Sequence, residues 1–355
     1  MTKKQLLYAA FDTGPSNYGL DVISYAQRKK NWGVAYFGNN SATGLDIAWN
    51  LEFDYAMVGG PSSFENGIDK EILSFCHDHE KPVYVLGDSP RSILRPGVKG
   101  CVDHATAIVA SPLDVPLAKE FGYKDAVWLE GYPSHWGVDP EKVKASDVLT
   151  RGDYFQSFIK VFVCGLKNAE ITNNMLSATL SAMYCCGSLD WRVYFQAHPS
   201  EIGTTKDVRC RANLLDPILH CNVVEIKTRE DVASMMMAAS LTVCTGGATA
   251  IVEGALLRLP VIYYVDDQVK SYNKKQSNEE IPGSVMLGAC ELATKQTMDH
   301  VVRSLLSCGS IRATLSAKQA TAFPQQAAGL NICQEVLDYI ENPAGYVSFS
   351  KRQEK

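Results

Sequence analysis

The pentapeptide Thr-Gly-Gly-Ala-Thr at 245–249 stands between an apolar run, LTVC (241–244), and a helical pattern, ATAIVEGALLR (248–258). Glycine lets backbone approach a ligand closely, and amides at a helix start, lacking intrahelical partners, favour an anion. Gly246, Gly247 and Ala248 would supply those amides, and Thr245 and Thr249 hydroxyl donors. Glu253 follows Thr249 by one turn on the same helix face. A carboxylate accepts two hydrogen bonds, which suits a vicinal diol. The segment therefore fits a phosphate-and-diol site. A capped helix after a tight turn, with Glu253 merely solvated, fits the same residues.

Other candidates follow apolar runs in the same way. His198 comes after RVYFQA and precedes Pro199, where an imidazole can meet a phosphate or a sugar hydroxyl, or cap its own loop. Lys167 and Asn168 follow KVFVCG (160–165); an ammonium there would offset leaving-group charge or face solvent. Asp12 closes LLYAAFD (6–12) and Asp88 closes PVYVLGD (82–88). Activating a hydroxyl takes one base, and a carboxylate serves, although an Asp beside Gly and Ser also caps loops. Asp12, Asp88 and His198 are thus the catalytic candidates, with Asn17, Ser62, Ser63 and Arg91 as acceptor contacts. Arg91, Arg95 and Lys99 form a basic run that meets an acceptor phosphate or is solvated. His77 and His79 lie in a polar helical segment without carboxylates at a fixed spacing, and no D-x-D occurs, so no metal site is expected. Met235, Met236 and Met237 read as helix core, and His135 and Trp136 as hinge packing.

Placing these residues requires strands that end at them. Apolar runs at 6–12, 32–38, 55–60, 82–88, 106–112 and 126–131 alternate with helical stretches such as 69–80 and 116–122. After a polar stretch at 133–153, read as a linker, the rhythm restarts with runs at 160–165, 191–199, 223–226, 241–247 and 260–267, and then VMLGAC (285–290). Helical patterns at 173–186, 229–240, 248–258, 298–307 and 327–341 separate or follow them, and KRQEK (351–355) reads as a frayed tail. Continuous apolar strands between helices imply βαβ units and parallel sheets. The expected fold is α/β: two Rossmann-like doubly wound domains facing across a cleft, at 1–150 and 151–355, the last helix packing back on the first domain. Such folds bind ligands at the carboxyl ends of their strands.

The segment VVEIKTREDVASMMMAASLTVCTGGATAIVEGALLRLPVIYY (223–264) resembles the nucleotide-binding core of the two-Rossmann-domain GT-B superfamily. It is most similar to the branch of UDP-N-acetylglucosamine 2-epimerases and CDP-glycerol glycerophosphotransferases, and AHPSE (197–201) is similar to their His-Pro motif. The first half resembles bacterial GT-B-like proteins of undefined activity through DTGPSN (12–17), GGPSSFEN (59–66), LGDSP (86–90) and EGYP (130–133). The resemblance implies a donor nucleotide on the second domain, its ribose hydroxyls on Glu253, its phosphates near Lys167, His198 and residues 245–249, and a UDP-linked sugar as co-substrate with no other cofactor. A Gly stands where the family has a Ser as second turn residue, which removes one hydroxyl contact.

Length and composition agree. A chain of 355 residues holds two domains at roughly 100–200 residues each. Hydrophobic residues make up 46% and charged residues 21%, which excludes a disordered chain. Lys and Arg number 34 against 39 Asp and Glu, and the whole deficit of −5 lies in 1–150. That balance disfavours a nucleic-acid acceptor, while the basic run at 91–99 leaves one open. Eleven scattered cysteines without C-x-x-C imply a reducing, cytoplasmic compartment and no disulfide framework. Neither a signal peptide nor a membrane span is expected. The reading is a metal-independent glycosyltransferase using a nucleotide-sugar donor, its acceptor a nucleic-acid base, a glycan or another group. The alternatives are a nucleotide-sugar 2-epimerase, whose His-Arg-x-Glu-Asn signature is replaced here by CGLKNAE (164–170), and a non-catalytic binder. A homo-oligomer is left open.

Overall fold

Val, Ile, Leu and Tyr run without interruption through most strand segments, and such runs need cover on both faces. The structure, a computed structural model, satisfies this with two parallel sheets of six strands. It describes residues 3–10, 13–37, 52–60, 68–94, 99–132, 138, 142–149, 159–186, 190–198, 223–226, 230–246, 249–277 and 279–354. Among these, no helix is long and apolar enough to cross a membrane. The described cysteines are all free, with Cys76, Cys244, Cys290 and Cys333 buried.

The chain divides into two compact units, Met1–Gly137 with Gln325–Lys355, and Val138–Pro324. The division falls near 137 rather than at 150. Residues 142–149 go with the second unit, where Ser146 N donates to Ser234 O at 2.9 Å.

The first unit comprises β1 (Gln5–Ala9), α1 (Thr13–Lys29), β2 (Gly33–Phe37), β3 (Tyr55–Gly59), α2 (Ile68–Asp78), β4 (Val83–Leu86), β5 (Thr106–Ile108), α3 (Asp114–Phe121) and β6 (Asp125–Val127). Its strands lie in the order β2-β1-β3-β4-β5-β6. Successive side chains go to opposite faces. Leu6, Tyr8, Met57, Tyr84 and Leu86 pack with Tyr18 and Val22 of α1 and with Val336 and Leu337. Leu7, Ala9, Val58 and Val85 pack with Ile72, Leu73 and Cys76 of α2.

The second unit comprises β7 (Ile159–Cys164), α4 (Ala169–Cys185), β8 (Trp191–Gln196), β9 (Val223–Ile226), α5 (Val232–Ala238), β10 (Leu241–Cys244), α6 (Thr249–Leu256), β11 (Val261–Tyr264), α7 (Asp267–Ser277), α8 (Gly283–Met286), β12 (Glu291–Ala293), α9 (Met298–Ser307) and α10 (Gly309–Ala322). The order is β12-β11-β10-β7-β8-β9. Strand order reverses direction between β7 and β10, the switch point at which such sheets open a crevice. Phe162, Val163, Phe195, Val243, Ile262 and Tyr263 are fully buried in this sheet. The chain then returns to the first unit with α11 (Ile332–Glu341) and α12 (Phe349–Gln353).

Several segments differ from their sequence-based expectation. Residues 14–17, whose Gly-Pro-Ser-Asn sequence signals a turn, lie in the first turns of helix α1; a proline in a first turn removes no intrahelical hydrogen bond. Within 285–290, an apolar run, the chain finishes the short helix α8 and turns through Gly288 at φ +76°. The edge strand β12 comes after it, in a segment too short and too polar to show a period. Helices α7 and α10 carry no strong apolar stripe and were not anticipated. The tail is not frayed: α12 is held by Arg352, which pairs with Glu335, and Ser350 N donates to Glu130 Oε2 at 2.9 Å.

Glu335 is 2% exposed and also accepts from Tyr346 Oη at 2.6 Å. Hydrogen bonds to charged groups contribute about 1.5–3 kcal/mol. Glu335→Ala should therefore lower unfolding stability by about that amount in a urea titration and release the last helix to proteolysis. Unchanged stability and an uncut tail would contradict this account of the C-terminus.

Candidate functional site

The second unit's candidate site starts from the pairing of β10 with β7, in which Leu241, Thr242 and Val243 face Val161, Phe162 and Val163. The two loops leaving these strands therefore emerge side by side. Gly246 has φ +74°, a left-handed conformation, and a Cβ there would stand 2.5 Å from Leu166 Cδ1 in the neighbouring loop. Glycine is required on both counts. Gly246 N donates to the phenol of Tyr263 at 3.2 Å, and that phenol also accepts from Asn273 Nδ2 at 2.8 Å. Thr245 is buried, and its hydroxyl donates to Tyr264 O at 2.8 Å. Thr245 and Gly246 thus spend their donors on the fold of the turn, contrary to the expectation that both face a ligand. Gly247 and Ala248 lie outside the described residues. Thr249 is exposed and opens α6, where first-turn amides have no intrahelical partner.

Glu253 sits one turn further along α6. Its Oε2 is buried and, among the described residues, has no hydrogen-bond partner. Burial, and then the charge of Asp231, pushes its carboxyl up from 4.5 to about 7. Asp231 is fixed as the N-cap of α5, accepting from Ser234 N at 2.9 Å and Ser234 Oγ at 2.7 Å. A carboxyl oxygen removed from water without a donor is costly.

On the β7 side, Thr172 Oγ1 accepts from Leu166 N at 3.1 Å and donates to Leu166 O at 3.0 Å, while Asn168 caps α4 through Ile171 N at 3.1 Å. Asn168 is thereby a cap, and Lys167 is left exposed between two fixed neighbours. Gly165 N donates to Gln196 O at 2.8 Å, tying this loop to the end of β8. His198 follows β8, half-buried. The carboxyl ends of β7, β8 and β10 therefore carry Lys167, His198, Thr249 and Glu253.

In the first unit, Asp88 follows β4, half-buried, and Gly60 follows β3; a Cβ on Gly60 would lie 3.3 Å from Asp88 Oδ1. Burial and then the Asp88 charge raise the phenol of Tyr8 on β1 well above its ordinary range, so this carboxylate faces the strand that leads to Asp12. Ser89 Oγ donates to Asp88 Oδ1 at 3.3 Å, and Ser92 Oγ donates to Ser89 O at 2.8 Å. Arg91 takes φ +62°, and its amide donates to Asp114 Oδ2 at 2.9 Å. Asp114, 0% exposed, was not anticipated; burial pushes its carboxyl up to about 6. Only an Asp in a helix first turn marks it in the sequence. Asp12, Ser62 and Ser63 lie outside the described residues, as does the side chain of Asn17. The described residues do hold one group with metal-ligating potential, His77, Asp103 and His104, at neither of these strand ends.

No protein-family model matches the chain, and no curated protein matches its sequence. Solved structures match it along nearly its whole length. UDP-GlcNAc 2-epimerase from Neisseria meningitidis, bound to UDP-GlcNAc, aligns with TM-score 0.62 at 12% identity, over 95% of this chain and 100% of that one. MurG from Acinetobacter baumannii aligns with TM-score 0.60 at 13% identity, over 96% and 99%. Anabaena Alr3699/HepE in complex with UDP and glucose aligns with TM-score 0.55 at 14% identity, over 96% and 100%. At such identity the likeness is one of fold: two Rossmann-like units of GT-B type, as the two parallel sheets already indicate.

A carboxyl whose pKa is raised on folding binds its proton more tightly in the folded chain, so stability falls as pH rises from about 4.5 through 7. Glu253→Gln removes that loss. At pH 8 it should exceed the wild type in stability by roughly 1–3 kcal/mol, at about 1.4 kcal/mol per pKa unit discounted for partial exposure, and the difference should vanish below about pH 4, under the unfolded pKa. Equal denaturation curves at pH 8 would refute a buried, proton-holding Glu253.

Proposed function

We propose that the chain is a glycosyltransferase that takes a nucleotide-sugar donor, UDP-linked, and works without a metal ion. The observation that carries this reading is Glu253, on the helix that starts from the Gly-rich turn, whose buried Oε2 lacks a donor among the described residues. A ribose offers two adjacent hydroxyls to such a group, and the helix start offers amides to the diphosphate. Two of the similar structures contain UDP or UDP-GlcNAc, which supports the choice of nucleotide. Lys167 and His198 would neutralise charge that develops on the leaving diphosphate. A carboxylate of the first unit, Asp12 ahead of Asp88, would take the proton of the acceptor hydroxyl. Asp88 belongs to a loop stapled by Ser89 and Ser92, which suits a supporting role. The similarity to the Neisseria epimerase favours a 2-epimerase as the second reading, and CGLKNAE at 164–170 weighs against it.

Ribose hydroxyls donate to the ionised carboxylate, so binding should expel the Glu253 proton. UDP affinity in calorimetry is expected to rise between pH 6 and 8. Glu253→Ala should weaken it by about 1.5–3 kcal/mol, the range for hydrogen bonds to charged groups, and flatten that pH dependence. An unchanged isotherm would remove Glu253 from the site.

Asp12→Asn should bind UDP normally and lose turnover by about 100- to 10,000-fold, the contribution of a positioned base. Normal turnover there, with Asp88→Asn folded but inactive, would transfer the role to Asp88. Turnover is also expected to survive a chelator; loss that magnesium or manganese restores would rule out the metal-independent mechanism.

A further inference from the structure

We propose that His77, Asp103 and His104 form a binding site for a divalent transition-metal ion, of which zinc is the representative, clipping the end of α2 to the loop before β5. One donor atom of each residue lies within 4.8 Å of the others. His77 and His104 meet edge to face, with ring centroids 4.8 Å apart. His77 Nδ1 is 3.4 Å from Asp78 Oδ1, and His104 Nδ1 is 3.3 Å from Asp103 Oδ1. A carboxylate only accepts, so in each neutral ring the proton sits on Nδ1 and the lone pair on Nε2. Asp78 stands outside the group, so at His77 this is the outer-shell arrangement that prepares imidazole for a metal; at His104 the Asp103 carboxylate must leave Nδ1 and turn to the ion. His104 Nε2 is buried and, among the described residues, has no hydrogen-bond partner, so its lone pair is unsatisfied there. Imidazole, imidazole and carboxylate suit zinc, copper or nickel better than magnesium or calcium.

Donors around one zinc stand roughly 3.3 Å apart, given Zn–N near 2.0–2.1 Å and tetrahedral angles, so the group must draw in slightly. The side chains of His77 and Asp103 are 56% and 68% exposed and can rotate to do so. Three protein ligands leave a fourth position to water. The placement assigns the role. His77 ends the helix that leads to β4, and Asp103 and His104 precede β5, so the cluster lies at the amino ends of these parallel strands. Ligands of such sheets bind at the carboxyl ends. The metal is accordingly a structural clip, independent of the proposed transferase chemistry and of its outcome. The sequence hid this group because Asp103 and His104 stand far along the chain from His77.

The test is calorimetric titration of the full chain, stripped of metal, with zinc chloride. The wild type should bind one equivalent and gain thermal stability. His77→Gln, at an exposed position, and His104→Gln should each weaken binding by at least about tenfold, the lower bound for loss of even an outer-shell partner. His79→Gln should leave the isotherm unchanged, since His79 Nδ1 lies 2.9 Å from Phe75 O and outside the group. Circular dichroism of each variant separates loss of the site from loss of the fold. Absence of saturable binding to the wild type, or undiminished binding to the folded His77→Gln protein, would overturn the proposal.

Discussion

The adjacency of β7 and β10 is the constraint on which the second unit's candidate site depends. These strands are far apart in sequence, and their pairing sets the loop at 165–168 against the turn at 245–246. The close approach leaves no room for a side chain at 246, where Leu166 already fills the space. The Tyr263 phenol on the next strand then holds the Gly246 amide, and Asn273 holds the phenol. A buried hydrogen-bonded network of this kind fixes a backbone course more firmly than packing alone. It aims α6 so that Glu253 comes to lie beside Cys164 and within reach of the Asp231 charge.

The first unit obeys the same grammar with different chemistry. Its order reverses at β1 and β3, and Gly60 and Asp88 come together at the neighbouring strand ends. Asp114 holds the Arg91 amide from the opening of α3, as Tyr263 holds the Gly246 amide in the other unit. In both units the groups nearest the strand ends are supported by buried polar side chains that meet no solvent. Such support is what gives a loop residue a defined position.

Strands were readable because parallel sheets buried on both faces demand unbroken apolar runs; LTVC at 241–244 is β10 without adjustment. Helix α1 was not, since Gly14 and Pro15 signal a turn and only tertiary cover decides otherwise. Of the site, the residue types at strand ends were visible, but not which donors are already committed. Nothing local announces that the Thr245 hydroxyl belongs to Tyr264 O, or that Asn168 is a cap. Asp114 and the histidine pair at 77 and 104 were invisible for a further reason: their partners come from segments remote in the chain.

The central claim is that a nucleoside diphosphate occupies the carboxyl end of the second sheet. Its most direct test is a crystal structure of the chain grown with UDP. The account predicts the diphosphate at the start of α6 and both ribose hydroxyls on the Glu253 carboxylate. Density for UDP elsewhere, or a Glu253 still without a ligand contact in crystals that contain the nucleotide, would contradict it.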